Sequence, residues 1–199
     1  MTRHKQLDKH PTSSSPWVIN TRELGRRPGL MRTYQRTIPA PEGFGLEVIG
    51  TPVGAPIEIE LRLESASEGV FVSGTAHAEL VGECSRCLEP IADEITVRLG
   101  ELFAYPDTAT VATTDEDEVS RVVDDLIDTE QMIRDAVVLE LPLVPLCQED
   151  CRGLCAECGE RWADLAPEHS HETLDARWAA LRGKLTPSTD PEADAEERR

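Results

Sequence analysis

No stretch of this sequence stays apolar for long. The longest runs, Ala136 to Leu139 and the proline-broken Leu141 to Leu146, fall far short of the ~20 residues needed to span hydrocarbon, so a membrane protein is not expected. The opening residues, Met1 to His10, lack the apolar centre of a secretory signal, which points to the cytoplasm. There is no glycine-rich phosphate cradle, no nucleophile elbow and no internal repeat, which removes common signatures of nucleotide-dependent and hydrolytic enzymes. Aromatic residues are scarce (three Trp, two Tyr, three Phe), and 20 basic residues face 38 acidic ones, for a formal net charge of -18. A chain of 199 residues fits one domain with tails, or one domain and a small appended module.

What the sequence does hold is acid, unevenly spread. Residues 1–36 carry Arg3, Lys5, Lys9, Arg22, Arg26, Arg27, Arg32 and Arg36 against Asp8 and Glu23, a net +6, which leaves −24 to residues 37–199. Phosphate attracts basic surface and repels acidic surface, so the body of the chain is a poor grip for nucleic acid. Any RNA contact is expected from the basic arm, through Arg22, Arg26, Arg27, Arg32 and Arg36; the plain alternative is a solvated segment.

Residues 1–16 read as a disordered lead, followed by a single α+β domain over 17–185 and a disordered tail over 186–199. Within the domain the basic arm covers 17–36, where Asn20-Thr21 cap a short turn through Leu24, ended before Pro28-Gly29. Strands are expected over about 45–105. Ile57, Ile59, Leu61 and Leu63 alternate with charged residues, and Val70, Val72, Ala76, Ala78 and Leu80 share one parity after the Ser67-Glu68-Gly69 turn. Ile95, Val97 and Leu99 then shift parity to Leu102 and Ala104, which predicts a bulge at Gly100. Residues 107–118 read as an acidic loop without a site. A helix follows over about 129–141, capped by Thr129, then a cysteine-rich loop over 146–171 and a helix over 173–185. The fold class is a small antiparallel sheet or partial barrel with flanking helices and a zinc-binding loop module.

Six cysteines in a reducing compartment point to metal ligands rather than disulfides. Cys84 and Cys87 sit two residues apart between apparent strands; Cys147, Cys151, Cys155 and Cys158 form a second group, with Gly153 and Gly159 to let the backbone wrap, and His169 and His171 follow. Such spacings match the edge of a tetrahedral zinc site. Cys155 and Cys158 could close a site with His169 and His171, with Cys147 and Cys151, or with Cys84 and Cys87, so one or two ions are expected. A redox role for Cys84-Ser-Arg-Cys87 is disfavoured because the pair does not open a helix. A hydrolytic zinc centre, with Glu157 or Glu160 as base, is disfavoured because cysteine-rich sets close the tetrahedron. His4, His10 and His77 read as bystanders.

From about Val18 to Trp178 the sequence resembles the YceD-like family, the large ribosomal RNA subunit accumulation proteins of bacteria and plastids. The residues that carry the likeness are Cys84-Ser-Arg-Cys87-Leu-Glu-Pro, Asp124-Asp-Leu-Ile-Asp-Thr-Glu130, Arg134 to Pro142, Pro145-Leu-Cys147 and Gly153-Leu-Cys-Ala-Glu-Cys-Gly159. The resemblance implies a non-enzymatic factor for accumulation of large-subunit ribosomal RNA, with metal and nucleic-acid binding. In a subset of members a further Cys-x-Cys element follows the second cluster, and His169-Ser-His171 stands near its place. The expected partner is a basic ribosomal protein or the assembling large subunit, with ribosomal RNA met only through the arm and no membrane involved. The rivals are an acidic adaptor or chaperone without RNA contact, and a zinc or thiol enzyme.

Overall fold

The alternation of apolar and charged residues from Ile57 to Leu63 folds as a period of two dictates. In the computed structural model, which describes residues 11–113 and 119–171, strand β4 (Pro56–Ser65) buries Ile57, Ile59, Leu61 and Leu63 and exposes Glu58, Glu60 and Arg62. It pairs antiparallel with β5 (Gly69–Glu83), from Ile57↔Ala78 to Ser65↔Val70, across a tight turn closed by Ala66 N donating to Gly69 O at 2.8 Å. The expected parity of β5 holds, with Val70, Val72, Ala76, Ala78 and Leu80 all buried.

Strand β6 (Pro90–Ala104) runs along the opposite edge of β5 for its whole length, from Gly69↔Ala104 to Glu83↔Pro90. On the other side, β4 takes the first part of β5 and the short β3 (Ile49–Gly50) its last part, with β2 (Met31–Pro39) outside β4. The result is a five-stranded antiparallel sheet. A separate antiparallel ladder joins β1 (Val18–Asn20) to β7 (Leu126–Asp128). Helices are few among the described residues: α1 (Ala109–Thr113) and α2 (Glu130–Glu140). One core cluster joins the inner face of the sheet to Trp17, Ile19, Phe44, Ile127, Met132, Ile133 and Val137. Among the described residues no helix is long and apolar enough to cross a membrane.

Several expectations need correction. The expected antiparallel sheet is present and α2 packs against it, but helix contributes less than expected: the architecture of the described residues is mostly sheet with two short helices. The β5–β6 register passes through Ser73↔Gly100 without a bulge. The parity never shifts: Phe103 continues the buried set of Val97 and Leu99, and Glu101 occupies the intervening inward position, where its carboxylate accepts from the Ser120 hydroxyl. Strands begin well before residue 45, because the basic segment supplies β1 and β2. β2 gave no alternation because it is an outer strand exposed on both faces except at Ile38 and, partly, Tyr34. Residues 11–16 are not featureless: Ser15 N donates to Thr12 O at 2.8 Å. Residues 109–113 of the acidic loop form α1. The helix at Thr129 is present, but the Thr129 hydroxyl makes no cap; it donates to Trp17 O at 2.8 Å, and Asp128 Oδ1 accepts from Glu130 N instead. Residues 1–10 with His4 and His10, the acid run Asp115 to Glu118, the helix at 173–185 and the tail lie outside the described residues.

The chain divides into two compact units, Met1–Gly153 and Leu154–Arg199. All the named strands and helices belong to the first.

Gly74, at the middle of β5, has φ +157°, and a Cβ there would fall on the carbonyl oxygen of Glu60 in β4. A strand pair this close leaves no room for a side chain. Gly74→Ala is therefore expected to cost ~3 kcal/mol, read as a lowered urea midpoint with an unchanged slope. Gly100→Ala, where the nearest atom to a Cβ is 3.9 Å away, should leave the midpoint almost unmoved.

Candidate metal centres

The β5–β6 ladder continues past Glu83↔Pro90 by one bond, Cys84 N donating to Glu89 O at 2.8 Å. The six residues between are then forced into a tight loop. Leu88 N donates to Cys84 O at 2.9 Å, and Leu88 takes φ 62°, a left-handed conformation that costs a side-chain-bearing residue about 1–2 kcal/mol. This turn aims the thiols of Cys84 and Cys87 at one point. The loop after α2 meets it from the other side. Ser85 N donates to Pro145 O at 2.9 Å and Arg86 Nη1 donates to Cys151 O at 2.9 Å. Gly153 turns the chain away at φ +76°, where a Cβ would come within 2.9 Å of Arg86 O.

These contacts gather Cys84, Cys87, Cys147 and Cys151 so that all four sulfurs lie within 4.8 Å of one another. Cys84 Sγ stands 3.8 Å from Cys151 Sγ, and Cys87 Sγ 3.6 Å from Cys147 Sγ. Four sulfurs at about 2.3 Å from one zinc would sit about 3.8 Å apart along the tetrahedron's edges. Disulfide bonding needs sulfurs about 2.05 Å apart, and all six cysteines are free.

The protons of this set are unequally held. Burial pushes the Cys84 thiol up, but hydrogen bonds from the backbone of Cys147, Arg86 and Cys87 outweigh it and bring it down to about 6. Cys147 moves the other way, to about 12, chiefly because it shares a hydrogen bond with Cys87 and then because of burial. Cys87 is also raised, first by burial. Cys87 and Cys147 thus oppose full ionisation of the set, and binding a divalent cation would favour it.

The second cluster lies in the second unit: Cys155, Cys158, His169 and His171 place one ligand atom each within 4.8 Å of the others. Its frame is a small hairpin. Leu154 bridges Arg161, Cys155 N donates to Glu160 O at 2.7 Å, and Gly159 N donates to Cys155 O at 2.8 Å with φ +75° at Gly159. Cys158 Sγ is 3.6 Å from His169 Nε2, and a tetrahedral zinc with sulfur at about 2.3 Å and nitrogen at about 2.0–2.1 Å sets these atoms about 3.5 Å apart. The His169 ring meets Trp162 edge-on at 5.5 Å and His171 at 4.4 Å between centroids. Backbone hydrogen bonds from Cys158 and Glu157, and then His169, hold the Cys155 thiol down near 6.

Of the combinations left open by spacing, the structure brings together Cys155 and Cys158 with the two histidines, and Cys84 and Cys87 with Cys147 and Cys151. Sequence reasoning missed Leu88, Arg86 and the Pro145 carbonyl. The signal for Leu88 was present in the parallel between Cys87-Leu88 and Cys158-Gly159, where each second cysteine precedes a left-handed residue.

The five arginines of the basic segment are mostly engaged within the chain. Arg22 and Arg26 reach Asp125 at 3.5 and 3.9 Å, and Arg26 lies 4.8 Å over the Tyr105 ring. Arg32 pairs with Glu23 at 2.8 Å, Arg36 donates to Pro16 O at 2.7 Å, and Arg27 is exposed. Asp125 itself belongs to a two-residue turn, Asp124-Asp125, with φ 52° and 59° and reciprocal bonds between Val123 and Leu126. Positive φ at both central residues is the requirement of a type I′ hairpin, which Asp tolerates.

Residues 72–183 match the family described as "Large ribosomal RNA subunit accumulation protein YceD". An uncharacterized protein of Mycobacterium tuberculosis is 52% identical over 177 residues, 89% of this chain and 85% of its own. An uncharacterized protein of Mycobacterium leprae is 46% identical over 187 residues, 94% of this chain and 86% of its own. The chain belongs to the YceD family. The uncharacterized protein YlbN of Bacillus subtilis is 27% identical over 132 residues, covering 66% of this chain and 75% of its own. No solved structure matches significantly.

Two of the motifs that carried the resemblance to the YceD family now have structural roles. Asp124 to Glu130 supplies the hairpin turn, β7 and the start of α2. Arg134 donates to Gly43 O and to Glu130 Oε1 and covers the Phe44 ring at 5.2 Å, which fastens α2 to the loop before β3.

Metal analysis of the full chain is expected to return two zinc ions. Cys84→Ser should leave one and unfold the first unit at lower denaturant, whereas His169→Ala should leave one without moving the first unit's transition. Freely titrating thiols in a metal-free, fully folded protein would count against both centres.

Proposed function

We propose that the chain is a non-enzymatic, zinc-stapled factor that supports accumulation of large-subunit ribosomal RNA in the cytoplasm. It acts by holding a basic ribosomal protein or the assembling large subunit. Family membership carries this reading, and the closed donor sets agree with it. A tetrahedron of four cysteines, or of two cysteines and two histidines, leaves no coordination position for a substrate, so the metal's contribution is folding free energy.

Charge selects the partner. The −24 carried by residues 37–199 attracts a basic protein and opposes bare phosphate. Internal pairing of Arg22, Arg26, Arg32 and Arg36 favours an adaptor that touches protein alone over one that also grips RNA. The ion pairs are exposed, each worth roughly 0–1 kcal/mol, so phosphate displaces them at small cost and RNA contact stays within reach of the arginines.

Cells depleted of the protein are expected to lose large-subunit relative to small-subunit ribosomal RNA, with rescue by the wild-type chain and not by Cys84→Ser. Unchanged subunit RNA ratios on depletion would remove the reading. Replacing Arg22, Arg26, Arg27, Arg32 and Arg36 by Gln tests the arm separately. If the arm meets RNA, affinity falls and the slope of log affinity against log salt shallows by about 0.7–0.9 per lost phosphate contact; if both stay constant, the adaptor without RNA contact is the better account.

A further inference from the structure

One edge of the sheet, that of β6, carries information that neither candidate metal centre uses. Strand β6 pairs only with β5 among the described residues. At its end, Ala104 N donates to Ser120 O at 2.8 Å and Val122 N donates to Ala104 O at 2.9 Å, a parallel bridge to Arg121. Both backbone groups of Ala104 therefore point away from β5. Because a strand's hydrogen-bonding direction alternates from residue to residue, Thr96, Arg98 and Gly100 point their N–H and C=O groups the same way. Among the described residues, Ser120 to Val122 is thus a short strand addition at one end of this edge.

Beside the edge, β6 and α2 enclose a groove of about 560 Å³ running from Thr96 to Glu101 and lined on the helix side by Met132, Asp135, Ala136, Leu139 and Glu140. Six residues of edge span about 17 Å, the length of an ordinary strand. Its apolar lining includes Val97, Leu99, Met132, Ala136 and Leu139, and Leu139 is 84% exposed. Its charged groups are the acids Glu101, Asp135 and Glu140 against Arg98.

We propose that this edge and groove bind an extended, basic protein segment, which adds as a strand to β6 with its cationic side chains toward Asp135 and Glu140. Strand addition supplies partners for outward backbone groups, and alternate side chains enter the groove. A helix does not serve, since its own amides are bonded internally. A nucleic acid, or the same edge of a second copy, meets the acidic lining with like charge. The inference deepens the proposed function by naming where its basic partner docks, and it rests on that reading only for the partner's class.

The probe is a fluorescein-labelled ten-residue peptide of alternating Lys and Thr, titrated into the full-length, metal-loaded chain. Binding is expected to weaken roughly tenfold or more for the Glu/Thr counterpart, for a Lys/Thr peptide N-methylated at alternate residues, and for the chain with Asp135→Lys and Glu140→Lys. Those two side chains are exposed, so metal content and melting temperature should not change. Amide exchange at Thr96, Arg98 and Gly100 should slow on binding. Indifference to both N-methylation and charge reversal, protection mapped elsewhere, protection of these same amides by single-stranded RNA added without peptide, or self-association through this edge would each overturn the proposal. Loss of ribosomal RNA rescue with peptide binding intact would count against the proposed function and leave the edge site standing; absent binding with intact rescue would do the reverse.

Discussion

Four thiols lie within 4.8 Å of one another, three of them buried, and their protons are held unequally: backbone hydrogen bonds bring Cys84 down, while burial and shared hydrogen bonds raise Cys87 and Cys147. The first unit nevertheless spends a long hairpin and a tethered loop on bringing them together. The unbroken register of β5 and β6 fixes where Cys84 and Cys87 lie, and the bonds from Ser85 and Arg86 to Pro145 and Cys151 fix the other two. A structural zinc contributes on the order of 10–16 kcal/mol in small domains, comparable with the whole stability of about 5–15 kcal/mol expected of a native protein. A cation held by these four sulfurs would make this convergence favourable. The left-handed Leu88, the approach of Gly153 to Arg86 and the raised thiol of Cys147 all follow from that requirement.

Where a strand has one buried face, its residues announce it. β4 and β5 were legible because burial of Ile57 to Leu63 and of Val70 to Leu80 imposes a period of two. β2 was not, because an outer strand exposed on both faces has nothing to alternate. At β6 the sequence misled in a specific way. Glu101 sits on the inward parity beside Ser120, and a charged residue there looks like a shift of register when it is a local polar contact.

The cysteines were legible as candidate metal ligands but not as two particular clusters. Spacing along the chain constrains the neighbours within a pair, whereas the choice of second pair depends on which loop the sheet and α2 carry to the first. Thr129 shows the same division between local and long-range control. Its position at the start of α2 was readable, yet its hydroxyl answers to Trp17, more than a hundred residues away in sequence, because it is wholly buried there and the nearest acceptor belongs to β1's approach.

Charge follows a similar logic. The +6 of residues 1–36 suggested a basic arm open to phosphate, but among the described residues several of its arginines pair within the chain. Arg22 and Arg26 stand over the carboxylate of Asp125, whose turn carries two left-handed residues, and Arg32 faces Glu23. An arginine paired with its own chain contributes little to the field at a distance, since a pair is a dipole whose potential falls faster than that of a charge and is further screened beyond about 8 Å at physiological salt. What an approaching molecule meets is then set by the surplus acid of the body. That field steers a basic protein toward the chain and slows a phosphate backbone, and closing a cysteine site does not reverse it, because four thiolates around one divalent cation still sum to a negative charge.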